Sequence, residues 1–349
     1  MITEREIKQY DNSNMFGVLS DFGKQIQEAR DIGSKIEIKE DYSHLKNIII
    51  CGMGGSAIGG DLLRSLVQFE MKIPVYVNRN YRLPSFADKE TLIIASSYSG
   101  NTEETLSAYR EAAEKGCSIS CISSGGKLSL LAENEKKLLI TVPKGYQPRC
   151  AIAYSFFPLL ILFTKMELIA NKADEIESVI SRIKMRSAKF SYPGTNNDAY
   201  NTALHVQGKI PVIYSSTDLL DIANLRMRGQ INENAKSLAY GNLLPEMNHN
   251  EIVGWQNNES LLKRLIVISL SDKDDLPEIK KRREITMELL KPLAGMIVEI
   301  EGEGNSPMER IFDIIHLGDW MSFYLALLYK TDPTPVEKIN YLKSKLTES

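Results

Sequence analysis

The sequence predicts an α/β protein of two domains, each a doubly wound parallel sheet, and three observations carry that expectation. Short runs of β-branched and apolar residues alternate with segments of helical length and period. The alternation stops at a turn-rich stretch past the middle of the chain and then resumes. The chain has 349 residues, comfortable for two domains at about 150 residues each. Continuous apolar strands separated by helices imply parallel sheets covered on both faces.

In chain order, the first half shows strands at 47–51, 74–77, 92–96, around Cys121 and at 138–142. Helical patterns fill 56–68, 102–115 and 127–137. The apolar stretch 151–163 contains Ser155 and Pro158 and falls short of the ~20 residues that span a bilayer, so it reads as a buried helix. A long charged helical pattern over 167–190 leads into Pro-Gly-Thr-Asn-Asn, strong turn chemistry that marks the domain boundary. Strands then follow at 210–215, 264–270 and 296–300, with helices at 217–228, 276–290, 309–328 and a basic amphipathic helix at 336–346. The division is therefore 1–165, a helical linker 166–194, and 195–349. Similar halves suggest a duplication, although no close residue repeat is present and two unrelated α/β domains fit the same pattern.

Composition is that of an ordinary globular chain, 43% hydrophobic and 25% charged. With 42 Lys and Arg against 45 Asp and Glu, the net charge of -3 leaves no electrostatic footprint for nucleic acid or an anionic membrane. The N-terminus is charged from the start, unlike a secretory signal. Cys117 and Cys121 flank a strand-like run, which would hold their Cα atoms roughly 13 Å apart, beyond the ~7 Å that a disulfide tolerates. A reducing, cytoplasmic setting follows. No histidine pair has ligand spacing with Cys, Asp or Glu, so no metal site is expected; His44 reads as a turn residue, and His205 and His316 as helix scaffold.

Two loops carry the chemistry. The first strand runs into Gly52-Met-Gly54-Gly55-Ser56-Ala57 and then a helix, leaving amides open at a helix start where an anion is favoured. The spacing also satisfies G-x-G-x-x-A, a dinucleotide pattern. The strand that should bear a ribose-binding acid ends in Asn78-Arg79 instead, which leaves open an enzyme of the phosphorylated nicotinamide cofactor. The second loop, Ser97-Tyr98-Ser99-Gly100-Asn101-Thr102, brings three hydroxyls to another helix start, with Glu103 and Glu104 in its first turn. N-capping by Asn101 or Thr102 would explain one polar residue of that set, not four. Neither loop has a P-loop lysine, and neutral donors suit a single phosphate monoester.

These loops resemble the sugar isomerase domain, which holds phosphosugars by such a serine/threonine loop. The likeness extends to Gly145-Tyr-Gln-Pro-Arg149, Asn232-Glu233-Asn234-Ala235-Lys236, Pro245-Glu246-Met247-Asn248-His249-Asn250-Glu251 and Asp332-Pro-Thr-Pro-Val-Glu-Lys338. Together they resemble the bifunctional phosphoglucose/phosphomannose isomerase family over essentially the whole chain. The resemblance implies an aldose–ketose isomerase that needs no metal or redox cofactor. It implies phosphate capture by Gly54, Gly55, Ser56, Ser97, Ser99 and Thr102, with Glu233 as the base that moves a proton between C1 and C2. Glu246 and Glu251 are competing carboxylates close by. Arg149 would stabilise the enediolate, a task suited to a permanently charged guanidinium. His249 and Lys338 would open the ring, His249 arriving from the partner of a homodimer, and the site would lie between the domains. Thr331, where glucose-specific relatives carry a bulkier glutamine, would leave room for either configuration at C2. Rival readings are a non-catalytic phosphosugar-binding regulator, a dehydrogenase of the phosphorylated nicotinamide cofactor, and an aminosugar relative.

Overall fold

Three helices form before any strand: α1 (Glu4–Tyr10), α2 (Met15–Ser20) and α3 (Phe22–Ser34). The structure is a computed structural model and describes residues 2–347. Thr3 and Glu6 close a reciprocal capping box on α1, and α3 buries Phe22, Ile26 and Ala29 along one helical stripe. The chain resolves into two compact units. The first is Phe22–Ser181; the second joins the described residues before Phe22 to those from Arg182 onward. The passage between them falls within α8 (Ala173–Phe190), inside the span expected to be a helical linker. The residues before Phe22, grouped by sequence with the first half, pack in the second unit. There Phe16 meets Trp320 edge-on, with centroids 5.3 Å apart, and Asn12 donates to Asp332 at 2.9 Å.

In the first unit, β1 (Asn47–Cys51), β2 (Val75–Asn78), β3 (Thr91–Ser96), β4 (Ser118–Ser123) and β5 (Leu138–Thr141) form one parallel sheet in the order β2-β1-β3-β4-β5. Ile48, Ile49 and Ile50 of β1 are completely buried, which requires cover on both faces and explains the unbroken apolar run. The crossovers are α4 (Gly54–Val67), α5 (Glu103–Glu114) and α6 (Gly126–Asn134). The apolar stretch becomes α7 (Ile152–Lys165), packed against α3 and α4.

The second unit continues with α9 (Asp198–Val206), β6 (Ile210–Ser216), α10 (Asp221–Asn234), β7 (Tyr240–Leu244), α11 (Glu259–Leu262), β8 (Leu265–Ser271), α12 (Pro277–Leu290), β9 (Met296–Glu301), α13 (Pro307–Leu328) and α14 (Glu337–Thr347). Its sheet is parallel, in the order β7-β6-β8-β9. Strand β7 escapes sequence patterning because it reads Tyr-Gly-Asn-Leu-Leu. It pairs where it does because Gly241 lies so close to β6 that a Cβ there would stand 2.3 Å from the Ile213 carbonyl oxygen. Helix α10 starts four residues later than the pattern suggested and extends to Asn234, which puts Glu233 in its last turn rather than beyond it.

Among the described residues α13 is long and apolar enough to cross a membrane, but 94% of its apolar window is buried inside the fold. It is a core helix. Ser306 and Glu309 cap its start, with Pro307 in the first turn. Its buried polar residues Asp313, His316, Asp319 and Ser322 recur every third position and are met by the same unit's own partners. Arg186 lies 2.9 Å from Asp313, and Arg226 and Gln230 reach Asp319 at 2.7 and 2.8 Å. Removing either member of such a pair would leave a buried charge, a change that typically costs several kcal/mol.

Candidate active site

The order β2-β1-β3-β4-β5 reverses direction between β1 and β3. Open α/β sheets bind ligands beyond the carboxyl ends of the strands at such a reversal. The loops that follow these two strands are the glycine loop and the serine/threonine loop singled out by sequence. They are tied together, since the Tyr98 amide donates to Ser56 Oγ at 3.1 Å. The Ser97 and Thr102 hydroxyls stand 2.8 Å apart, and Ser97 Oγ also accepts the Gly100 amide at 3.1 Å. Ser99 Oγ accepts the Asn101 amide at 3.3 Å. Thr102 occupies the N-cap position of α5 without capping it, and Asn101 Oδ1 takes the Lys127 amide at 3.1 Å. Capping thus does not explain the hydroxyls. Helix α4 likewise starts at Gly54 without a side-chain cap, and both helix starts favour an anion.

The glycines serve close packing. A Cβ on Gly55 would stand 2.4 Å from the Pro148 carbonyl oxygen and 3.3 Å from the Arg149 nitrogen. Ser155 Oγ donates to the Gly55 carbonyl at 3.2 Å. The short 3₁₀ turn Pro148–Cys150, which carries the buried Arg149, is therefore seated on the first loop. This gives the G-x-G-x-x-A spacing a packing reason. Arg79, the residue a 2′-phosphate would need, is ion-paired with the buried Asp61. Tyr98 was part of the sequence motif without a role. Its hydroxyl donates to the Pro143 carbonyl at 2.7 Å and accepts the Tyr146 amide at 3.0 Å, anchoring the segment that leads to Arg149. Its only sequence signal was a large aromatic within a loop of small residues.

In the second unit, Glu233 lies half-buried in the last turn of α10. The two competing carboxylates are hydrogen-bonded, Glu251 to β6 and β7 and Glu246 within its own turn. Glu251 accepts from the Tyr214 hydroxyl and from Asn242 at 2.7 Å, and Glu246 accepts from Asn250 at 2.7 Å. Burial and Glu251 together hold the Tyr214 phenol well above its ordinary pKa, so it remains a donor. His249 is exposed at the end of the 3₁₀ turn Glu246–His249, and Lys338 is exposed in the first turn of α14. Thr331 is half-buried just past α13, its amide bonded to the Ala326 carbonyl at 3.0 Å.

The second sheet has the same reversal, between β6 and β8, yet the end of β8 is closed by an internal ion pair. Arg310 grips Asp272 through two nitrogens, at 2.7 and 3.0 Å, and reaches Asp274 as well. Acidic residues there oppose a phosphate. A concavity of about 480 Å³ in the first unit lies against β5 and includes Lys35, Tyr42 and Leu138. It shares no residue with the two loops, so chemistry and topology, not depth, locate the candidate site.

The fold and its hydroxyl-lined loops define a protein of the sugar isomerase (SIS) class. The structure superposes on the C-terminal domain of glucosamine-fructose-6-phosphate aminotransferase from Francisella tularensis with a TM-score of 0.69 and 15% identity, covering 96% of this chain and 100% of that one. Residues 195–346 match the family model described as the bacterial phospho-glucose isomerase C-terminal SIS domain. The chain is 45% identical over 337 residues to the bifunctional phosphoglucose/phosphomannose isomerase of Caldicellulosiruptor bescii, covering 96% of this chain and 99% of that protein. Against the enzyme of the same description from Aquifex aeolicus it is 38% identical, covering 89% and 93%. The chain belongs to the bifunctional phosphoglucose/phosphomannose isomerase family.

Proposed function

We propose that the chain interconverts glucose 6-phosphate and mannose 6-phosphate with fructose 6-phosphate by proton transfer through an enediolate. The observation that carries this reading is the joined pair of loops at the sheet reversal, where neutral hydroxyls and uncapped helix amides converge, neither loop carrying a lysine of its own. Such a cradle suits one phosphate monoester and would hold the sugar in register for chemistry elsewhere along it. Moving a proton between adjacent carbons requires a carboxylate and a cation beside the developing oxyanion, with no net redox change. Glu233 is the base of this reading, at the position where the family resemblance puts it; Glu246 is bonded to Asn250, and Glu251 to Tyr214 and Asn242. Arg149 stabilises the enediolate, and the seating of its turn on the phosphate loop supports that role. His249 and Lys338 open the ring. His249 is exposed on its own chain, as a residue offered to the other subunit of a homodimer must be.

The test is proton NMR of each hexose phosphate in deuterated buffer, using chelator-treated protein without added nicotinamide cofactor, with glucosamine 6-phosphate as comparison. Both glucose 6-phosphate and mannose 6-phosphate should reach fructose 6-phosphate with solvent exchange at the transferred proton. Glu233→Gln should slow both reactions by roughly 10²–10⁴, the usual contribution of a positioned base, with the fold intact. Binding without turnover would favour the regulator, and a near-normal rate for the variant would move the base to Glu246 or Glu251.

A further inference from the structure

Lys236 has no role in the reading above, yet its side chain is placed to join two segments. It follows the C-cap of α10, Ala235, with φ of +54°. Lys136, Glu167 and Lys330 take the same left-handed conformation just past the C-caps of α6, α7 and α13, so it is the side chain that singles Lys236 out. The conformation accompanies a side chain that folds back across the helix end. Its Nζ donates to the Glu233 carbonyl at 2.6 Å, the Pro333 carbonyl at 3.0 Å and the Asn234 carbonyl at 3.4 Å. The three hydrogens of the ammonium match three acceptors, and a cation at this place complements the helix dipole.

The joint has two well-anchored sides. On the inner side of α10, Asn234 is completely buried and donates to Ser322 Oγ at 2.9 Å. Ser322 in turn donates to the Asp319 carbonyl at 2.8 Å. Across from it, Asp332 accepts the Thr334 amide and the Asn12 side chain, each at 2.9 Å, which fixes the turn that contains Pro333. Thr331 stands two residues before Pro333. Glu233 therefore sits on a helix end clamped from the core by Asn234 and from outside by Lys236, and the outer clamp also holds the turn next to Thr331.

We propose that Lys236 is a positioning residue whose ammonium joins the Glu233-bearing end of α10 to the 331–334 turn, setting both the isomerisation rate and the preference between C2 epimers. This rests on Glu233 as base and Thr331 as the neighbour of C2. Displacement of a catalytic group by about 1 Å can cost as much as 10²-fold. Lys236→Met keeps the length and apolar stem and removes every donor. It should lower kcat by about 10- to 100-fold on both sugars with KM within about threefold, and shift the mannose-to-glucose rate ratio by about threefold or more. Lys236→Arg, which can donate to the same carbonyls, should recover most of the rate and the original ratio.

Melting temperatures of both variants and the kinetics of Glu233→Gln complete the experiment. A Lys236→Met enzyme with wild-type kcat and ratio overturns the proposal. So does one that only melts earlier, with an unchanged ratio and no rescue by arginine, since that describes a helix cap and nothing more. If Glu233→Gln is slow while Lys236→Met is normal, the coupling alone fails. If Glu233→Gln is near normal, the assignment of the base fails and the coupling falls with it.

Discussion

His316 gives the chain a pH dependence that can be worked out from its surroundings. It is completely buried on α13. Trp320 Nε1 donates to its Nε2 at 3.1 Å, and the Ser187 hydroxyl lies 2.9 Å from the same atom. An indole N–H can only donate, so Nε2 is the bare acceptor and Nδ1 carries the hydrogen. Burial foremost, with the charges of Arg186 and Arg226 adding to it, lowers the pKa from 6.5 to about 3. In the unfolded chain the ring titrates near 6.5. Between these values the unfolded state takes a proton that the native state refuses, so stability falls as pH falls through that window. At about 1.4 kcal/mol per pH unit, this one ring removes roughly 2 kcal/mol between about pH 6.5 and pH 5. His316→Gln supplies an amide oxygen that can accept from Trp320 and Ser187 but cannot titrate. Both tryptophans, Trp255 and Trp320, belong to the second unit, so their fluorescence in urea reports on its unfolding. Burial raises the pKa of Asp313 and Asp319, which acts in the opposite direction, but both remain in the variant and cancel in the comparison. The wild type should lose about 2 kcal/mol more than the variant over this range. Equal losses in the two proteins would refute the reasoning.

Other perturbations separate the parts of the site. Thr331→Gln should depress use of the mannose epimer more than the glucose epimer, as measured by kcat/KM on each, and equal losses would defeat the steric reading of that position. Gly55→Ala would drive a methyl against the Pro148 carbonyl, so the variant should lose about 1–3 kcal/mol of stability and raise KM for every hexose phosphate together. Unchanged melting and KM would mean that the Arg149 turn is not seated on the loop. All four cysteines are free and buried, and burial pushes the Cys51 and Cys121 thiols up to about 12. A thiol reagent at neutral pH should therefore label them slowly until urea is added, whereas rapid native labelling would contradict their burial.

Much of the site was legible because it is local in sequence. The two loops each follow a strand and open a helix, and hydroxyl content, glycine placement and the missing P-loop lysine are all visible in a dozen consecutive residues. The roles proposed for Arg149, Glu233, His249 and Lys338 come only from family resemblance, since an isolated polar residue carries no sign of what stands opposite it. Ser56 bonded to the Tyr98 amide, Gly55 under the Pro148 carbonyl, and Lys236 across to Pro333 join residues between 42 and 97 positions apart. No periodicity records such pairings.

By itself the sequence determined the alternation of strand and helix, the parallel character of both sheets and the position of the phosphate-type loops. These follow from hydrophobic period and from backbone chemistry over a few residues. Tertiary structure alone decided the strand orders, which put those loops at a reversal. It also decided the pairing of β7 through Gly241, the extension of α10 through Glu233, and the packing of the first helices in the second unit. Each of these depends on which distant surface becomes available to bury apolar area or satisfy a polar group, and that is settled only when the chain closes on itself.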